Sequence, residues 1–221
     1  ITTISRPLSS DTTLIFYEDA SHQFITSDFP YTDTDNHELD KIIIINSDHF
    51  EYFSYSGNDI DSSITCDDIQ KLVFTPSLDE YGDNYAAFTF KVVDDFGSTS
   101  LDTNTVFINV APVNDTPNID PISDLYTMED SHNILLPISG INAGPANEFQ
   151  NISVEAFADD TSLVKINNIQ YTSPEDTGLI TIDPVENVFG IIPITIQIID
   201  DGGTSNGGVD IFETSFHINI S

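Results

Sequence analysis

Basic residues are nearly missing: 5 Lys and Arg stand against 37 Asp and Glu, a formal net charge of −32. A field of that sign repels phosphate backbones and anionic headgroups, so nucleic acid and ordinary membrane surfaces are excluded as partners and cations are favoured. Tryptophan is absent and cysteine occurs once, as Cys66. A lone thiol forms no internal disulfide, and a zinc cluster is likewise excluded for want of ligands. Long apolar runs are missing too. The longest obvious one, Ile42 to Ile45, fits a strand and falls far short of the roughly 20 residues of a spanning helix, so no membrane insertion is expected. Helix-period segments are scarce; only Asp67 to Leu72 could close one helical turn, with Asp67 as its cap. The chain starts at Ile1 without a charged n-region and apolar h-region, so a piece of a larger protein is expected.

What is present is a folding chain. Hydrophobic residues make up 39% and aromatics 10%, enough to build cores, so the acidity is not the signature of disorder. In Phe88-Thr89-Phe90-Lys91-Val92 and in Ile194-Thr195-Ile196-Gln197-Ile198 apolar and polar residues alternate with period two. That pattern predicts strands with one wet face. Gly, Asp, Asn and Ser cluster between such runs, as at Ser56 to Asp59 and Gly202 to Gly208, and supply turn chemistry.

The sequence also repeats itself. Tyr17-Glu18-Asp19-Ala20-Ser21-His22 echoes Met128-Glu129-Asp130-Ser131-His132, and Leu72 to Pro76 up to Gly82 echoes Leu179 to Pro184 up to Gly190. Phe90 to Gly97 returns as Ile196 to Gly203, and Phe107 to Val110 returns as Phe216 to Ile220. Four echoes in one order, spaced by about the length of a small sandwich domain, indicate two copies of one unit. The boundary falls in Ala111 to Pro117, where two prolines bracket a stiff connector, giving domains 1–113 and 114–221. The fold class expected is all-β: two tandem Greek-key β-sandwiches.

Carboxylates gather at strand ends, where loops meet at the poles of a sandwich. Glu18-Asp19 precedes a predicted strand His22 to Ile25, and Asp33-Thr34-Asp35 follows its far end, so the two groups are expected at opposite poles. Asp94-Asp95 ends the strand Phe88 to Val93, and Asn114-Asp115 lies just beyond Thr105 to Val110. The second unit repeats Glu129-Asp130 and Asp200-Asp201.

These motifs, together with Leu72-Val73-Phe74-Thr75-Pro76 and Val113-Asn114-Asp115-Thr116-Pro117, resemble the cadherin-like tandem repeats of large bacterial surface and secreted proteins. The second unit is similar to a sister variety, marked by Ile141 to Glu148, Tyr171 to Pro174 and Asp200 to Gly203, and it lacks an Asp-x-Asp pair. The resemblance implies that the two sandwiches stand in an end-to-end rod, with Ca²⁺ held where consecutive repeats meet. Its ligands would be Glu18, Asn114, Asp115, Glu148 and Asp200, with Asp79 as an additional candidate. Asp33, Asp35 and Asp94 would form half a site toward a preceding repeat, and Glu129 half a site toward a following one. Ca²⁺ takes six to eight oxygens and tolerates irregular geometry, which suits loops from two domains. A secreted or cell-surface, monomeric spacer or adhesion module follows, with neighbouring repeats, cell-surface glycans or proteins as partners.

Other readings are weaker. Asp33 to Asp40 mimics an EF-hand loop, but Glu38 stands at the turn-making glycine position and Ile44 at that of the bidentate Glu. No nucleophile elbow or His-Glu-x-x-His pair is present, and His22, His37, His49, His132 and His217 lack ligand spacing, so no catalysis is expected. Asp67 and Asp68 beside Cys66 oppose its use as a nucleophile. Asn114, Asn151 and Asn219 head glycosylation acceptor triplets, which matter only in a host that glycosylates. The runner-up function is a carbohydrate-binding module attached to a polysaccharide-degrading enzyme. For it, Tyr52 and Tyr55, in the aromatic stretch Phe50 to Tyr55, would offer ligand contacts.

Overall fold

The computed structural model describes residues 5–221. The chain divides into two compact units, Ile1–Val113 and Asn114–Ser221, and each is all-β. The first contains β1 (Thr12–Tyr17), β2 (His22–Gln23), β3 (Leu39–Ser47), β4 (Phe53–Tyr55), β5 (Asn58–Asp59), β6 (Ile64–Cys66), β7 (Leu72–Phe74), β8 (Gly82–Asp94) and β9 (Asn104–Ala111). These form two sheets, ordered β1-β9-β8-β3-β6 and β2-β7-β4-β5. The chain crosses between the sheets repeatedly, and β1 enters parallel to the last strand, β9, while the other pairs are antiparallel.

The second unit contains β10 (Leu125–Thr127), β11 (Ile134–Ser139), β12 (Ile152–Ala158), β13 (Val164–Gln170), β14 (Thr177–Pro184), β15 (Gly190–Asp200) and β16 (Ile211–Ile220). Its sheets run β10-β16-β15-β12 and β11-β14-β13, again with the first strand parallel to the last. Among the described residues no helix is long and apolar enough to cross a membrane.

The period-two pattern is what closes each sandwich. Along β8 Ala86, Phe88, Phe90 and Val92 are buried and the residues between them are not; along β15 Ile192, Ile194, Ile196 and Ile198 do the same. Each of these valine, isoleucine and phenylalanine side chains contributes about 1.5 to 3 kcal/mol relative to an exposed one. The two cores are filled differently. The first is phenylalanine-rich, with edge-to-face pairs such as Phe24 to Phe88 at 5.7 Å and Phe29 to Phe90 at 5.2 Å. The second is built mainly of isoleucine. Cys66 belongs to the first core, and burial, followed by the charge of Asp67, pushes its thiol up to about 12.

Three local expectations are corrected. The strand predicted over His22 to Ile25 ends at Gln23, because residues 26–28 close a 3-10 turn whose Asp28 carboxylate accepts the Ile25 N–H at 2.8 Å. The turn predicted from Asp67 spans Ile69–Lys71 and is capped by Asp68, which accepts the Gln70 N–H at 3.2 Å. The echo of Phe107 in Phe216 is one residue out of register. Gly82 pairs with Val110 and Gly190 with Ile220, which matches buried Val106 to buried Phe216.

Candidate functional site

The register of β8 separates two acidic poles within the first unit. Gly82 faces Val110 at one end, and Asp94 closes the strand at the other. Glu18 follows β1 at the Gly82 end. Its N–H donates to Ala111 O at 3.1 Å, its carboxylate accepts the Val113 N–H at 2.8 Å, and it is 2% exposed. Asp19 beside it accepts the Asp79 N–H at 2.9 Å. The second unit reproduces the arrangement: Glu129 N–H donates to Ser221 O at 2.9 Å, and Asp130 accepts the Asn187 N–H at 2.9 Å. Asp19, Asp79, Asp130 and Asn187 all have φ between 55° and 61°, the left-handed region that Asp and Asn tolerate. Two differences stand out. Glu129 is exposed where Glu18 is buried, and Asn187 replaces the acid at Asp79.

At the other end of β8, Asp94 is fully buried. Its Oδ1 accepts the N–H groups of Phe96 at 3.0 Å and Ser98 at 2.6 Å, while its Oδ2 has no hydrogen-bond partner. Burial pushes this carboxyl up, and the two N–H groups with His37 outweigh it, holding the group below the ordinary carboxylate value. Asp33 Oδ1 accepts the Asp35 N–H at 2.7 Å and the His37 N–H at 3.3 Å, and its Oδ2 is buried without a partner. His37 Nδ1 lies 3.5 Å from Asp94 Oδ2, too long for a hydrogen bond. Asp33, His37 and Asp94 each bring a ligand atom within 4.8 Å of the others. Asp35 does not join them: it is exposed and its carboxylate accepts the Ser5 hydroxyl at 2.8 Å. His37, which lacks ligand spacing in the sequence, joins Asp33 and Asp94 through the fold. Its signal was the four-residue step from Asp33, whose partner Asp94 is distant in sequence.

The second unit builds its pole on Asn114, which donates to Asp200 Oδ1 and to Val209 O, both at 2.9 Å, and accepts from Gln150 Nε2 at 2.8 Å. Gln150 also donates to Glu148. Asp115 and Glu148 flank Gly144, where a Cβ would stand 3.0 Å from Asp115 Cβ and 3.4 Å from Glu148 Cγ. Asp200 is 6% exposed, and its Oδ2, like Gln150 Oε1, is buried without a partner. Burial raises the Asp200 carboxyl above its ordinary value; the Gly202 N–H and the Asn114 amide pull it down, and Asp210 and Asp201 push it up again. Asp94 and Asp200 are thus structural equivalents, each closing its strand and accepting the N–H two residues on at 2.9 to 3.0 Å. Asp95 and Asp201 correspond too, accepting the N–H groups of Glu38 at 3.3 Å and Asn151 at 2.8 Å.

The aromatic stretch faces inward. Phe53 is core, Phe50, Tyr52 and Tyr55 pack against that core half-buried, and the Tyr55 hydroxyl accepts the Asp68 N–H at 3.1 Å.

No protein-family model and no curated protein matches this sequence. Among solved structures the chain is similar to the human desmocollin-1 ectodomain (16% identity, TM-score 0.44, covering 98% of this chain and 42% of that one). It is also similar to human CDH23 EC21-23 (16% identity, TM-score 0.44, covering 98% and 70%). A further likeness is to domains 4 and 5 of the S-layer protein SbsC (15% identity, TM-score 0.34, covering 94% and 93%). The chain spans less than half the length of the desmocollin structure.

Proposed function

We propose that the chain is a calcium-stiffened spacer or adhesion repeat module of a larger extracellular protein, non-catalytic, with neighbouring repeats and cell-surface proteins or glycans as partners. The observation that carries this reading is the pole around Asp200. Its donors, from Asn114, Asp115, Glu148, Gln150 and Asp200, are all oxygens, and two of them, Asp200 Oδ2 and Gln150 Oε1, are buried without a hydrogen bond. A buried unpaired carboxylate oxygen is costly, and a hard divalent cation that collects oxygens relieves that cost. Glu18 and Glu129, repeated at the opposite poles, are further candidates, and so are Asp33 and Asp94 in the first unit, whereas Asp35 is turned to Ser5.

When bound, calcium supplies charge neutralisation and cross-linking of loops. The chain's own part is to hold the acids in place through strand ends and turn N–H groups, so that little reorganisation is needed on binding. Clustered acids repel without the ion, and linkage makes the folded, stiffened chain more stable as calcium rises. A carbohydrate platform draws no support from Tyr52 and Tyr55, whose rings pack against the first core.

The test is small-angle scattering with a parallel thermal melt, in EDTA and across a calcium titration at fixed ionic strength, with magnesium as control for plain screening. A stiffer particle and a calcium-selective rise in Tm are expected, with most of the rise lost in Asp115→Ala/Asp200→Ala. An equal response to magnesium, or an unchanged rise in the double variant, refutes it.

A further inference from the structure

At the end of β8, Asp33, His37 and Asp94 each bring a ligand atom within 4.8 Å of the others, and each carries a buried atom without a hydrogen bond: Asp33 Oδ2, His37 Nδ1 and Asp94 Oδ2. The side chains of Asp33 and Asp94 are 0% exposed and that of His37 is 15% exposed. Each carboxylate spends its other oxygen on backbone N–H groups, which fixes the unpaired one in direction. Buried polar atoms without partners are rare and call for an occupant. His37 Nδ1 stands 3.5 Å from Asp94 Oδ2 and 4.0 Å from Asp33 Oδ1, both too long for a hydrogen bond, so the ring by itself leaves the unpaired oxygens unsatisfied. A dication satisfies all three.

The geometry points to a transition-metal dication, of which zinc is the probe, bound at this pole through Asp33, His37 Nδ1 and Asp94. Ligands at the roughly 2.0 to 2.2 Å of a zinc site stand about 3 to 3.5 Å apart, and His37 Nδ1 is 3.5 Å from Asp94 Oδ2. The ring is held for the task. It stacks on Phe96 at 4.0 Å with 16° between planes, while the His37 backbone N–H donates to Asp33 Oδ1 at 3.3 Å and the backbone carbonyl accepts the Tyr31 hydroxyl at 3.1 Å. An imidazole nitrogen favours zinc and its neighbours in the first transition row over calcium, which takes oxygen. The repeat supplies the contrast. Because Asp95 and Asp201 hold equivalent N–H groups on Glu38 and Asn151, the preceding residues correspond, and His37 stands where the second unit has Gln150. One chain therefore carries a nitrogen-bearing pole and an all-oxygen pole. The expectation that the sequence lacks zinc ligands does not allow for this grouping, in which His37, without ligand spacing in the sequence, joins the acids Asp33 and Asp94.

The inference goes beyond the calcium reading and is tested separately from it. Metal-stripped full chain, wild type and His37→Gln, is titrated with zinc chloride against a chromophoric chelator, in the absence and presence of millimolar calcium, and the imidazole ring nitrogens are followed by NMR. The expected result is zinc affinity weakened at least about tenfold by His37→Gln, zinc binding to wild type that survives calcium, and a displaced His37 Nδ1 resonance. Equal zinc affinity in the variant, displacement of zinc by calcium, or a His37 ring unmoved by zinc overturns it. Should the variant fold poorly, the wild-type ring spectrum decides alone. The calcium-dependent rise in Tm, read in the same two proteins, reports on the spacer function whatever zinc does.

Discussion

Gly202→Ala probes how the Asp200 pole is assembled. A Cβ at Gly202 would stand 1.8 Å from Asn114 Oδ1 and 2.3 Å from its Cγ, so the Asn114 side chain must leave. Three hydrogen bonds go with it: to Asp200, to Val209 O and from Gln150. At about 1 kcal/mol each the loss is roughly 3 kcal/mol. For a domain of roughly 100 residues that lowers Tm by about 10 to 20 °C. Gly203→Ala is the control. Its φ of +81° strains an alanine by about 1 to 2 kcal/mol, yet nothing lies within 4 Å of the added carbon, so Asn114 stays in place. The decisive assay is a chemical-denaturation cycle with Asn114→Gly. In that background Gly202→Ala has no amide to displace and is expected to cost less than about 1 kcal/mol. An equal cost in both backgrounds refutes the reasoning.

Core truncations should differ by unit but not in size: Phe88→Ala in the first unit costs about 3 to 5 kcal/mol and Ile196→Ala in the second about 2 to 5 kcal/mol, measured by denaturant titration of each variant. Cys66, buried and with its thiol pushed up to about 12, is expected to resist a thiol-reactive dye in the native protein and to label only on unfolding; rapid labelling of folded protein contradicts its core placement. Asp160 accepts the Ser162 hydroxyl at 2.6 Å and its N–H at 2.8 Å, which holds the carboxyl below its ordinary value. A depressed folded pKa contributes stability above the unfolded value that is lost as pH falls through the folded one. A carboxyl NMR titration should show Asp160 moving upward in Ser162→Ala.

The strand architecture was legible because burial on one face imposes period two, and β8 and β15 carry that period almost undisturbed. The acidic candidates were legible as well, since Asp94 and Asp200 sit where alternation ends and turn residues begin. The short strands were not. β2 stops at Gln23 because the side chain of Asp28 competes for the backbone, a choice made by local hydrogen bonds that leave hydrophobic pattern unchanged.

By itself, then, the sequence determined the two-fold repeat, the all-β class and the acidic strand ends, because hydrophobic period and turn chemistry are written in neighbouring residues. Only the tertiary structure decided which of those acids act together. Asp35 turned to Ser5, while His37 joined Asp33 and Asp94 across β3 and β8, and Asn114 was locked to Asp200 and Gln150. Such groupings depend on strand pairings between residues far apart in the chain, and the identity of the ion a pole prefers depends in turn on which donors those pairings bring within a few ångströms.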